Sequence, residues 1–222
     1  MGNGKSVSRL ILVPAVITLG VTLLRLVGEL KHWPSPWFSA AAGGGGAVVG
    51  ISWLPILFGP YFAMKLAGAG DRPASIRKAL GFAFLGLLVY FAGGVWLQAI
   101  LRHPSVLALL PFLLMLAAAF VPGMAWRSLG NTLIAYAFAA RIPVVMVMFF
   151  AMRANDGAGW GTHYDAVPPT LAQLPLAPKF FYLGVMPQMT TWIGWTVILG
   201  SLFGSLVVLG TRRGKQPAQV SA

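Results

Sequence analysis

One permanent charge stands out in an apolar stretch. "AYAFAARIPVVMVMFFAMRA" (135–154) is long and apolar enough to cross a bilayer, and Arg141 lies near its middle. Arg141 is about 12 residues from the outer end, or roughly 18 Å at 1.5 Å per residue, too far for a snorkelling side chain to escape. The guanidinium must therefore face protein or an aqueous cavity and find acceptors there. Pro143 removes a backbone donor and so leaves the Ala139 carbonyl as one local acceptor. A packing anchor and an anion-binding residue are the two roles open to Arg141.

The chain has four acids, Glu29, Asp71, Asp156 and Asp165. Glu29 alone falls within an apolar stretch. Thr18, Thr22, Arg25 and Glu29 follow steps of four, three and four, which puts them on one face of a helix. Arg25 and Glu29 stand at i and i+4 and can neutralise each other, making either a polar seam between helices or part of a solute path. Gln188, Thr191 and Trp195 form a second polar face at i, i+3 and i+7, and the Gln188 carbonyl is a candidate acceptor for Arg141. Arg141, Arg25, Glu29, Gln188 and Thr191 are thus the candidate ligand-binding residues.

A second constellation is metal-like. His32, His103 and His163 all fall on the outer side of the expected topology, with Asp165 two residues beyond His163 in "GTHYD". Three imidazoles and a carboxylate suit Zn²⁺ or another divalent ion if loops bring them together. No local ligand spacing such as HExxH supports this, so no cofactor is assigned. Met146, Met148, Met152, Met186 and Met189 fit flexible packing better than Cu(I) ligation. No GxSxG elbow, phosphate-binding loop or paired intramembrane acids is present.

These residues must be positioned by membrane helices. Of the 222 residues 58% are hydrophobic and 9% charged, with a mean hydropathy of +0.79. Apolar residues come in long blocks, the mark of a polytopic membrane protein. The expected fold is all-α, a bundle of about six transmembrane helices. The spans fall at 10–30, 47–68, 80–101, 105–126, 129–152 and 180–209, each near the ~20 residues a bilayer needs. They form a single domain over 1–215, followed by a disordered tail at 216–222. Segments 31–46, with two Trp and two Pro, and 153–179, the one long loop, are more than connectors.

Lys5, Arg9, Lys65, Arg72, Arg77, Lys78, Arg127, Arg212, Arg213 and Lys215 fall on one side of these spans. Lys31, Arg102, Arg153 and Lys179 fall on the other. Positive-inside bias then puts both termini in the cytoplasm. The net charge of +12 is met by anionic headgroups rather than nucleic acid. Cysteine is absent, which removes disulfides and thiolate chemistry. Lys5 and Arg9 before an apolar run resemble a signal peptide, yet no small-residue cleavage site follows, so the run reads as a retained first span.

The expected location is a cell membrane, most simply a bacterial-type inner membrane. The partners are the lipid bilayer and either further copies of the chain or a membrane complex. The favoured function is binding or transport of a small or lipidic, anionic solute. The alternatives are a membrane-anchoring subunit of a larger complex and a membrane enzyme with an outer His and carboxylate site.

Overall fold

The computed structural model describes residues 7–42, 47–101 and 109–213. Among them the regular structure is all helix, with no strand. The helices are α1 (Val7–Leu30), α2 (Pro55–Gly68), α3 (Ile76–Leu101), α4 (Leu109–Ala118) and α5 (Arg127–Arg153). A final helical stretch begins with α6 (Leu176–Phe180), passes through two π-helical turns at Phe181–Val185 and Pro187–Thr191, and continues as α7 (Trp192–Arg213). Four helical segments are long and apolar enough to cross a membrane: Val7–Leu30, Ile76–Ala99, Arg127–Arg153 and Leu176–Thr211.

Two of the six expected spans are shorter than the sequence pattern implies. Over 47–68 the helix begins only at Pro55, and its 14 residues rise roughly 21 Å, less than a hydrocarbon core. Residues 47–54 are irregular, and Pro55, which fits the first helical turn, opens the helix. Over 105–126, α4 ends at Ala118 and a 3₁₀ turn occupies Pro122–Met124. Pro122 supplies the break there. The tail at 216–222 lies outside the described residues, as does His103.

α2, α3 and α5 all pack on α7. The α2–α7 contact is the closest, because glycine meets glycine. A Cβ added at Gly59 would fall within 3 Å of the Gly200 backbone, and one at Gly204 would crowd Gly59 and Ala63. Around this crossing lie Phe62, Leu129, Leu133, Tyr136, Ile193 and Val197, all buried. Phe58 and Phe62 each stand 5.4 Å, centroid to centroid, from the Tyr136 ring.

α1 stands apart and packs mainly on α5. Its buried face comprises Leu10, Pro14, Thr18, Thr22, Arg25, Gly28 and Glu29. The polar stripe is therefore the packed face, while Leu12, Val13, Val16, Ile17, Leu23 and Leu24 point outward. That inversion of the soluble pattern is what lipid as solvent favours, since polar groups find partners only inside the bundle. Tyr136 bonds Thr18 Oγ1 at 2.8 Å, and Thr18 donates to the Pro14 carbonyl at 2.8 Å. This chain of hydroxyls ties α1 to α5.

Candidate functional site

The irregular segments converge at one end of the α1–α5 pair. Glu29 closes α1, and its side chain is 1% exposed. It accepts from Arg25 Nε at 2.8 Å, one turn back on the same helix. It also accepts from the loop between α5 and α6: the His163 backbone N–H donates to Oε2 at 2.8 Å. His163 Nδ1 lies 2.7 Å from both carboxylate oxygens. With three donors converging, Glu29 is the ionised acceptor, so Nδ1 carries the imidazole proton. Tyr164, the next residue, donates from its hydroxyl to the Thr22 carbonyl at 3.2 Å. The loop is thus fastened to α1 at two adjacent residues.

A tight turn presents His163 in this way. Asp165 accepts from the backbone N–H of Gly161 and of Thr162, each at 2.9 Å, and from the Thr162 hydroxyl. Gly159 and Gly161 take positive φ on the approach, a conformation that glycine adopts without strain. At Gly159 a Cβ would also collide with the Asp165 carboxylate. Burial pushes the His163 imidazole below its ordinary value, and Arg25 acts in the same sense. The bond to Glu29 opposes this shift without reversing it. Near neutral pH this favours the uncharged ring.

Beneath the loop is a cavity of about 230 Å³. Thr22 and Arg25 of α1, Arg141, Val144 and Met148 of α5, and Pro187, Gln188 and Trp192 line it. Gly50, Ile51 and Ser52 form a third wall, and His163, Tyr164, Ala166 and Pro168 close it from the loop. Trp195 holds the third wall by donating from Nε1 to the Ser52 carbonyl at 2.9 Å.

Arg141 is 4% exposed and lines this cavity. Its Nη1 donates to Gln188 Oε1 at 3.3 Å rather than to the Ala139 carbonyl. Its guanidinium carbon lies 4.7 Å from the centre of the Trp192 ring, a cation–π stack. The Nε is buried with no partner. Among the described residues no carboxylate pairs with Arg141; Glu29 pairs with Arg25 and accepts a hydrogen bond from His163.

The π turn at Pro187–Thr191 forms part of the cavity wall. Pro187 lacks the N–H that a regular α-turn would use, and the wider turn shifts the phase of the helix beyond it. Gln188 and its i+4 neighbour Trp192 reach the cavity wall. Thr191 is not on the wall, and its buried Oγ1 has no partner.

Of the predicted ligand-binding residues, Arg25, Arg141 and Gln188 therefore share one cavity. Glu29 stands behind it, holding Arg25 and His163. Of the metal-like set, His32 is exposed at the end of α1 with a φ of 53°. His163 is committed to Glu29 and Asp165 to its own turn, while His103 lies outside the described residues. No three His, Asp or Glu side chains are grouped to hold a metal among the described residues. Sequence reasoning missed the Glu29–His163 bond, although both residues fall on the same side of the expected topology. It also missed Trp192 and Tyr164, whose aromatic types alone do not separate a cavity wall from core. No protein-family model matches this chain, and no curated protein or solved structure matches it either.

Proposed function

We propose that this chain is an integral membrane protein that binds a small anionic or lipidic solute in the cavity between α1, α5 and the 187–192 turn, as a binding or transport protein. One observation carries the reading. Arg141 is a permanent cation, 4% exposed, with a single neutral acceptor at 3.3 Å and an Nε that nothing accepts from. A guanidinium used only for helix packing is normally surrounded by carbonyls or a carboxylate, because a buried and unpaired charge costs several kcal/mol. An anion in the adjoining cavity supplies the missing negative charge.

The surrounding geometry fits that role. The cavity wall pairs cationic and polar groups with Ile51, Val144, Met148 and Leu183. Broken helices whose irregular turns line an internal cavity are a recurrent way to build solute sites in membranes. In this reading both termini are cytoplasmic, and the short α2 and α4 complete a six-span bundle in a bacterial-type inner membrane. The cavity then opens toward the outer face.

The test is native mass spectrometry on gently extracted wild-type protein and on Arg141→Gln and Arg141→Lys variants, with thermal unfolding in detergent alongside. The expected result is a discrete bound mass in wild type that is lost in Arg141→Gln without a lower Tm. Retention of that mass in Arg141→Gln would sink the reading. So would loss of the fold in both variants, which would mark Arg141 as a packing residue.

A further inference from the structure

The charges around the cavity bear on what kind of anion it takes. Three groups that can carry positive charge line it: Arg25, Arg141 and His163. Arg25 is matched by Glu29 at 2.8 Å. His163 donates its Nδ1–H to the same carboxylate, and burial, which lowers its pKa, favours the uncharged ring. The remaining charged group of the loop turn, Asp165, is not on the cavity wall and is held by the backbone of Gly161 and Thr162. Among the described residues the site therefore has one uncompensated positive charge, that of Arg141.

One negative charge balances it. A second would be left buried without a partner, which is the costly case in a low-dielectric interior. The lining also includes apolar side chains: Val144 and Met148 from α5, Ile51 from the irregular segment and Leu183 from the first π turn. A hydrated inorganic ion would leave those side chains facing water, whereas an apolar body would cover them.

On these grounds we propose that the site selects a monovalent oxyanion carrying an apolar body: a monocarboxylate, or the phosphodiester headgroup of an anionic lipid. The Arg141 guanidinium holds the charged end, and the Val144–Met148–Leu183 wall takes the rest. This inference rests on the anion-binding reading above and narrows it to one charge and an amphiphilic shape. Trp192 has a defined part, since its ring lies against the guanidinium and helps to fix its position.

Three six-carbon probes separate the determinants: hexanoate, with one charge; adipate, with two; and hexanol, with none. Calorimetric titration of the full chain in phosphatidylcholine nanodiscs at pH 7 should show hexanoate binding. Adipate and hexanol should bind at least about tenfold more weakly, a 1.4 kcal/mol difference. Repeating the hexanoate titration in phosphatidylglycerol nanodiscs distinguishes the two sources. Weakened hexanoate binding there identifies a lipid headgroup as the competitor, and unchanged binding identifies a free carboxylate.

Adipate binding as tightly as hexanoate, with both lost in Arg141→Gln, would overturn the monovalent assignment and leave the anion site standing. Hexanol binding as tightly as hexanoate would overturn both. So would the failure of every probe, together with no phosphatidylglycerol retained in native mass spectra. The variant Val144→Asn, in the apolar part of the lining, should weaken hexanoate while sparing acetate, which has the same charge and almost no apolar body. Equal loss of both would show a collapsed cavity rather than a lost apolar contact.

Discussion

The α2–α7 crossing and the Arg141 cavity solve opposite problems with the same final helix. At the crossing, glycines remove side chains so that backbones touch: Gly59 meets Gly200 and Gly204, and Phe62, Leu133 and Tyr136 seal the surroundings. In the cavity the backbone is pushed apart. Proline and two π turns widen the helix, a loop replaces a helix as one wall, and charged side chains occupy the gap. Dispersion contacts and close approach hold the first region; paired charges and directed hydrogen bonds hold the second. The unpartnered buried atom near the crossing is a neutral hydroxyl, Ser201 Oγ, whereas in the cavity it belongs to a cation. A region built only for packing would not need that cation.

The largest expected effect removes the carboxylate that organises the cavity. Glu29→Leu strips the acceptor from Arg25 Nε, the His163 backbone N–H and the His163 ring at once. Breaking a buried pair in this way costs about 3–5 kcal/mol. The loop between α5 and α6 should also come free of α1. Unfolding in detergent measures the stability, and limited proteolysis within 155–175 measures the release. Intact stability with a protected loop would show that Tyr164 and Thr22 suffice as a fastening.

At the crossing the expected effect is smaller and purely steric. Gly59→Ala places a methyl group against the Gly200 backbone, which no side-chain rotation relieves. Overpacking of this kind costs about 1–3 kcal/mol. Gly20→Ala is the control, because nothing lies within 4 Å of the added carbon. That variant should be neutral or gain up to about 1 kcal/mol from helix propensity. Anion binding should survive in Gly59→Ala, since the damage lies away from the cavity. Equal losses in both glycine variants would mean that the crossing is looser than its geometry implies.

How much of this was legible in the sequence differs between the regions as well. Long apolar helices and the Thr18–Thr22–Arg25–Glu29 face follow from patterns within single helices, and both are present in the structure. Arg141 could be flagged because its cost depends on local depth alone. What the sequence hid depends on contacts between distant segments or on which of two neighbouring helix positions faces the cavity. The Glu29–His163 bond spans 134 positions, and no pattern in either neighbourhood requires the other. Trp192, at i+4 from Gln188, lines the cavity and Thr191, at i+3, does not, a choice that periodicity alone leaves open. Span counting overreaches at 47–54, where the helix starts only at Pro55, and beyond Ala118, where Pro122 breaks it, although apolar composition continues through both.

The smallest expected effect asks whether the two regions also differ in their response to pH. No group that titrates in acid contributes to the Gly59–Gly200 crossing, so its packing should be indifferent to falling pH. The cavity end contains His163, whose imidazole is held below its ordinary value of 6.5, first by burial. A group whose folded value is lowered stabilises the fold fully above its unfolded value. That stabilisation fades as pH falls from the unfolded value through the lowered one, because the unfolded chain binds the proton first. Stability should therefore decline as pH drops below about 6.5, and His163→Gln should flatten that decline while Gly59→Ala leaves its slope unchanged. Proteolysis of the 155–175 loop should follow the same curve, because protonation acts on the residue that fastens it. A wild-type protein that gains stability on acidification would mean that Glu29 outweighs burial and that the ring is an imidazolium. The cavity would then hold two uncompensated positive charges, and its preferred anion would be divalent.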